Sequence, residues 1–297
     1  MITIVGATGN VGGKIADILI RTGERVRLTA RSSDRLRSFV GKNAVAYAGD
    51  AMNAEFLVKA FRASDAVFTL IPPDPRVVRF LQYANKIGES IARALEIAKV
   101  KYVVNLSSFG AELPEGTGPI VGLHNMEERL NRIKGLNVLH LRASYFMENL
   151  LSSIDLIKSN GMIGNAIRGD FKIPFIATRD IAVYAADHLV KRDFSGVTVQ
   201  YLRGPRDLSM IEATEIIGRR IGKPGMSYVM VPYNDAEKGL VARGLSPDMS
   251  RTYIEMSKAF NESRIKSERA KEFVTKTSFE TFCDEVFVPA YTQKKVA

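Results

Sequence analysis

Residues 2–13 read Ile2-Thr3-Ile4-Val5-Gly6-Ala7-Thr8-Gly9-Asn10-Val11-Gly12-Gly13, and Lys14-Ile15-Ala16-Asp17-Ile18-Leu19-Ile20 follow. Four β-favouring residues lead into glycines at 6, 9 and 12, and apolar residues then recur at 15, 18 and 19. A buried strand therefore turns sharply into an amphipathic helix, the first βα unit of a nucleotide-binding sheet. Each glycine has a mechanical task in such a turn: Gly6 bends the chain, Gly9 lets the backbone approach a pyrophosphate, and Gly12 lets the helix pack close to the strand. The pyrophosphate rests on free N–H groups at the helix N-terminus, where the helix dipole favours negative charge. The flanking strand and helix separate this pattern from a bare structural turn.

A second strand, 25–30, ends at Arg31-Ser32-Ser33. This is about twenty residues beyond the last glycine, where an NAD-binding chain carries an acid for the ribose hydroxyls. No acid stands there. Arg31 offers a fixed cation beside two hydroxyls, which suits a 2′-phosphate and favours NADP(H) over NAD(H). The competing reading of Arg31 is a solvated surface cation.

With 297 residues and 46% hydrophobic content, the chain can bury a large core as one big domain or two. No apolar run reaches bilayer length, and the first strand begins at residue 2, leaving no room for a signal or transit peptide. A soluble, cytoplasmic protein with no membrane partner is expected. The single cysteine, Cys283, forms no internal disulfide, in keeping with a reducing compartment, and sits where a packing role is expected. The net charge of +10 raises nucleic-acid binding as a question. The cations are dispersed, with denser stretches only at 21–37 and 264–276, and no recognition-helix, zinc or RNP pattern accompanies them. No nucleic-acid partner is expected, and the charge is read as solubility plus attraction for an anionic cofactor. There is no internal repeat and no spacing of His, Cys and acids that suits a metal.

The first half alternates strand and helix, which predicts an α/β fold with a doubly wound parallel sheet. A third strand, 45–50, ends at Asp50, which faces the region of an adenine or serves as a turn residue; Asn53 caps the helix from Ala54. A fourth strand, 66–71, stops at Pro72-Pro73, and a long helix is expected from Asp74 and Pro75, with Val77, Leu81, Ala84, Ile87, Ile91, Leu95 and Ala98 as its apolar stripe. The fifth strand, 102–108, delivers Ser107 and Ser108 to the carboxyl edge of the sheet, where such proteins bind ligands. Either hydroxyl can meet the nicotinamide end or a substrate, or satisfy local backbone. A loop, 110–118, leads to a helix over 120–134 that places His124 and Glu127 one turn apart. An imidazole oriented by a carboxylate is a candidate proton donor; a plain surface pair is the alternative.

After a sixth strand, 138–141, comes Arg142-Ala143-Ser144-Tyr145-Phe146-Met147-Glu148-Asn149-Leu150-Leu151. With the opening Gly-Ala-Thr-Gly-Asn-Val-Gly, the basic end of strand two and the His-x-x-Glu helix, this segment resembles the NmrA-like branch of the atypical short-chain dehydrogenases. The likeness continues through 169–176, Arg179-Asp180-Ile181-Ala182 and Leu202-Arg203-Gly204-Pro205, nearly the whole chain. It implies a Rossmann core of 1–148, with 176–204 returning to it, and a smaller α/β substrate-binding domain of 149–175 and 205–297. It implies NADP(H) held by Gly6, Thr8, Gly9, Asn10, Val11 and Arg31, to which the glycine turn and the third strand add Gly12 and Asp50 as cofactor-binding candidates. Ile71, Pro72, Ser107 and Tyr145, which follow strands four, five and six, are expected around the nicotinamide. The chain departs from the family pattern at Ala143, often Pro, and at Leu123 and His124, where some relatives place a catalytic lysine.

Short-chain dehydrogenases use Tyr-x-x-x-Lys, in which an ammonium lowers the phenol pKa. The helix after strand five lacks it, and the one match, Tyr291 with Lys295, falls in the C-terminal tail. Acceptors that need little acid catalysis, such as quinones or conjugated carbonyls and dyes, fit this absence. The expected function is hydride transfer from NADPH to a small apolar acceptor, with His124 and Ser107 as the catalytic candidates. Phe146, Met147, Met162, Phe171, Phe175 and Phe260 are candidates for the acceptor lining. The alternative is a non-catalytic NADP(H) sensor acting through a regulatory protein partner; a homodimer is compatible with either. Ser209-Met210-Ile211-Glu212 and Thr277-Ser278-Phe279-Glu280 read as helix capping boxes without chemistry.

Overall fold

A computed structural model describes residues 1–39, 41, 43–265 and 272–293. Among the described residues the main sheet has eight strands, in the order β13-β10-β6-β5-β4-β1-β2-β3. They are β1 (Ile2–Val5), β2 (Val26–Ala30), β3 (Ala44–Ala48), β4 (Ala66–Thr69), β5 (Tyr102–Ser108), β6 (Asn137–Ala143), β10 (Val197–Arg203) and β13 (Glu272–Val274). Every neighbouring pair is parallel. Strand order reverses between β1 and β4, so a crevice opens outside their carboxyl ends, the general ligand position in open α/β sheets.

Helices cover both faces, which is why β1 and β4 are buried at every position. On one face α1 (Gly12–Arg21) and α7 (Thr178–Lys191) bury Ile15, Leu19, Ile181 and Ala185 against Ile4, Phe68 and Val104. The short α2 (Ser33–Leu36) extends this face near β2. On the other, α3 (Ala54–Phe61), α4 (Phe80–Ala98) and α5 (Ile120–Asn131) bury Phe61, Ile91 and Leu130 against Val67, Val103 and Val138. Asn53 caps α3 by accepting the Phe56 N–H.

A second apolar cluster gathers around two small sheets, β7 (Tyr145–Phe146), β9 (Lys172–Ile176) and β11 (Asp207–Ser209), and β8 (Met162–Asn165) with β12 (Ser227–Met230). It includes residues of α6 (Ile154–Asn160), α8 (Met210–Arg220) and the C-terminal helical segment 279–292. Two further helices, α9 (Tyr233–Ala242) and α10 (Pro247–Asn261), form a hairpin beside it. β13 pairs with β10, so part of 205–297 also completes the main sheet. Cys283 is fully buried in the second cluster, and burial pushes its thiol up to about 12. No helix among the described residues is long and apolar enough to cross a membrane. Residues 266–271 of the basic stretch, and Lys295 of the Tyr291–Lys295 match, lie outside the described residues.

Two expectations are corrected. The long helix begins at Phe80, not at Asp74, because tertiary partners take the backbone of 74–80. Asp74 Oδ1 accepts the Arg76 N–H, the Pro75 carbonyl accepts the Ser246 N–H, and the Phe80 N–H goes to Asp248 Oδ2 at 2.8 Å. Val77 therefore stands outside the helix, and Leu81 is 43% exposed. The second capping box is also absent: Ser278 caps, Thr277 turns to Asp180, and Glu280 pairs with Arg206. The box at Ser209 and Glu212 forms as read.

A polar row crosses the buried sheet. Thr69 Oγ1 donates to Asn105 Oδ1, Asn105 Nδ2 donates to His140 Nδ1, and His140 Nε2–H donates to Asn131 Oδ1, at 2.9–3.1 Å. Burial lowers the His140 pKa from 6.5 to about 4. Between those values the unfolded chain binds a proton that the fold refuses. Stability is therefore full above about pH 6.5 and falls as pH drops toward 4, by roughly 3 kcal/mol at most. Urea unfolding at pH 7 and pH 4.5 is expected to show a smaller acid loss in His140→Gln than in the parent; equal losses would mean that His140 titrates freely.

Candidate functional site

The β1–α1 turn has the geometry that its glycines require. Gly6 adopts φ +71°, and a Cβ at Gly12 would lie 2.3 Å from the Gly6 carbonyl oxygen, so only glycine fits there. Val11, at the N-cap, supplies no side-chain cap to α1, and the Gly13 N–H donates to the Gly9 carbonyl at 2.9 Å. Beside the turn lies a cavity of about 400 Å³ lined by Thr8, Gly9, Asn10, Gly13, Lys14, Asp17, Arg35 and Phe39, two cations to one carboxylate. Lys14 Nζ donates to the Asn10 carbonyl at 3.0 Å, and Arg35 Nη2 to the Thr8 carbonyl at 3.1 Å. A smaller cavity of about 150 Å³ shares Asn10 and Lys14 and reaches Glu148, Leu151 and Arg179. Glu148 accepts the Thr178 N–H at the start of α7.

Arg31 leans toward β4. Its Nη1 donates to Asp74 Oδ2 at 3.0 Å, with 59% of the Arg31 side chain exposed. The Arg76 N–H, then Arg31, holds the Asp74 carboxyl below its usual range. Asp50 Oδ1 accepts the Met52 N–H, so it forms a turn at the end of β3 while lying within electrostatic range of Tyr83, as Arg31 and Asp74 do. These residues thus share the edge formed by β2, β3 and β4. Ile71 and Pro72 are half-buried just past β4, and the Pro72 carbonyl accepts the Tyr83 hydroxyl at 2.8 Å.

At the ends of β5 and β6 the structure replaces the expected His124–Glu127 pair with another. Glu127 is buried and binds Arg142 bidentately: Nε to Oε1 at 3.1 Å and Nη2 to Oε2 at 2.7 Å. Ser107 is buried too, and its hydroxyl donates to the same carboxylate, so its proton is committed within the protein. Arg142 Nη1 also donates to Glu112 at 3.1 Å and to the Tyr201 hydroxyl at 2.7 Å. Burial opposes the Arg142 charge, but hydrogen bonds and charge attraction from Glu127, together with the Tyr201 hydroxyl, outweigh it and raise its pKa. Register sets Ser107, Arg142 and Tyr201 side by side on adjacent strands. His124 instead places Nδ1 2.8 Å from the Ala111 carbonyl. A carbonyl only accepts, so the Nδ1 proton is committed to that bond.

Tyr145 follows β6 with its ring edge-on to Phe175 and Phe260, at centroid distances of 5.3 and 6.4 Å. Burial pushes its hydroxyl up to about 12, against side-chain hydrogen bonding from Asn165 and Asn149. Of the proposed acceptor lining, Met147, Phe175 and Phe260 are core residues, while Phe146, Met162 and Phe171 are half-buried. The sequence reading missed Arg142, Glu112, Tyr201, Lys14 and Arg35. A signal for the first was present: an arginine closing the apolar strand 138–141 needs a buried acid, and Glu127 on the neighbouring helix supplies it.

Removing one member of a buried ion pair strands the other charge and costs about 3–5 kcal/mol. Glu127→Ala is expected to lose stability of that order in urea unfolding, whereas a loss below about 1 kcal/mol would show Arg142 reaching solvent.

A model of the NmrA-like family matches residues 1–283. The (4-alkanoyl-5-oxo-2,5-dihydrofuran-3-yl)methyl phosphate reductase of Streptomyces griseus is 28% identical over 255 residues, covering 86% of this chain and 85% of that protein. The uncharacterized oxidoreductase YesF of Bacillus subtilis is 30% identical over 269 residues, covering 88% and 84%. In fold, the chain is similar to the NADPH-dependent quinone oxidoreductase QOR2 of Escherichia coli, solved with NADPH: TM-score 0.75, 19% identity, 97% of this chain and 100% of that one.

Proposed function

The chain belongs to the NmrA-like family, and from that membership and the site above we propose that it is a reductase passing hydride from NADPH to a small apolar acceptor, of the quinone, conjugated carbonyl or dye class. The observation that carries this reading is the uncapped α1 N-terminus behind a turn too tight for a Cβ, flanked by a cavity that Lys14 and Arg35 line. That combination fits a multiply anionic cofactor. Support also comes from the names of the relatives, a reductase and an oxidoreductase, and from the NADPH bound in the similar fold.

In this reading the backbone of Gly6, Gly9, Asn10, Val11 and Gly12 receives the pyrophosphate, with Thr8 beside it. Arg31 and Asp50 serve the adenosine end. Ile71, Pro72 and Tyr145 flank the nicotinamide, which when bound supplies the hydride. Residues 1–148 with 176–204 form the cofactor unit, and the second cluster shapes the acceptor side. Ser107 acts from beneath, fixing Glu127 and with it the ends of β5 and β6. Acceptors that stabilise the incoming negative charge themselves match a site without Tyr-x-x-x-Lys on α5.

Steady-state NADPH oxidation against a panel of quinones and triphenylmethane dyes is expected to show turnover. Tight NADPH binding with no turnover on any acceptor would overturn the reductase reading in favour of a sensor that acts through a protein partner. A charge-assisted hydrogen bond to phosphate is worth about 1.5–3 kcal/mol. Arg31→Ala is therefore expected to weaken NADPH binding roughly ten-fold or more by calorimetry while NADH affinity stays within about two-fold. An unchanged NADPH preference would remove Arg31 from the phosphate site.

A further inference from the structure

Helix α10 crosses the carboxyl edge of the main sheet. Gly118, with φ +61°, lies so close beneath it that a Cβ would come within 2.1 Å of the Thr252 carbonyl oxygen. The bonds from Ser246 and Asp248 to Pro75 and Phe80 pin the first turn of α10 to the segment after β4. Tyr253, Met256 and Phe260 follow at helical spacing on one face. Tyr253 packs on the Phe80–Ala84–Met249 cluster, which Ile71 also joins. Phe260, two turns on, meets Tyr145. This face therefore bridges the ends of β4 and β6 across β5, over the stretch assigned above to the nicotinamide.

The Tyr253 hydroxyl has no hydrogen-bond partner among the described residues, although the side chain is partly buried. It lies within electrostatic range of the Tyr145 hydroxyl. Burial raises its pKa, which keeps it protonated through the neutral range. The two donors that the sequence singled out are spoken for: Ser107 gives its proton to Glu127, and His124 gives Nδ1–H to Ala111.

We propose that Tyr253 is a catalytic residue, the hydrogen-bond donor to the acceptor oxygen on which charge develops. It is supplied by α10 in place of the tyrosine that α5 lacks. The inference rests on the reductase reading. When bound, the reduced nicotinamide would supply hydride with its electron pair to the acceptor carbon and be oxidised, and the acceptor's π pair would pass through its conjugated system onto oxygen. The Tyr253 O–H stabilises that oxygen as it becomes anionic, and water then gives it a proton.

The test is Tyr253→Phe, which keeps the ring and its packing. With menadione, kcat/KM is expected to fall roughly ten-fold or more, in the manner of a lost oxyanion donor. NADPH affinity and Tm are expected to stay as in the parent. In a fluorescence titration of the NADP⁺-loaded protein, the menadione Kd is expected to rise about three-fold or more. Parent-like turnover and parent-like menadione affinity would overturn the assignment while leaving the reductase reading intact. If the parent turns nothing over yet Tyr253→Phe still weakens menadione binding, the contact stands and the reductase reading falls. If the parent neither binds nor reduces menadione or any other quinone or dye, both fall.

Discussion

The close approach of Gly12 to the Gly6 carbonyl fixes the direction of α1 relative to β1, and through it the use of the whole sheet edge. With 2.3 Å available where a Cβ would stand, the helix starts directly behind the strand end, beside the crevice between β1 and β4. A helix displaced by even one methyl group would carry Lys14 and the cavity wall with it. The burial of Ile15, Ala16 and Leu19 against β1 holds that approach in place.

A second constraint couples the two halves of the molecule. The segment 72–79 is irregular because it has partners on both sides. Asp74 reaches back to Arg31 at the end of β2, while Pro75, Val77 and Phe80 bond to Ser246 and Asp248 at the start of α10. The end of β2 and the start of α10 are thus joined through one short stretch of backbone. Helix α9 is different, since none of its residues is buried and it rests on α10.

Polar side chains inside a parallel sheet are costly unless every one is paired. Here they form two rows two residues apart along β5 and β6: Thr69–Asn105–His140, then Ser107–Arg142–Tyr201, with Asn131 and Glu127 of α5 closing them. The rows fix the register of α5 over the strands more tightly than apolar packing alone would. The same pairing keeps Ser107 from acting as an exposed hydroxyl.

The sequence by itself determined the α/β alternation, the parallel sheet, the glycine turn and two of the helix caps. These rest on period, chirality and chemistry within a few residues, as the agreement at Asn53 and at Ser209 with Glu212 illustrates. Strand β5 was legible to the residue because its apolar run is bounded by its own composition. Only the tertiary structure decided that Glu127 takes Arg142 instead of His124, that α4 waits until Phe80, that Arg31 faces Asp74, and that Tyr253 packs on Phe80 and Ala84. Each of these depends on a partner distant in the chain, as far as 168 residues for Phe80 and Asp248. Local periodicity carries no record of which distant group will be brought within hydrogen-bonding reach.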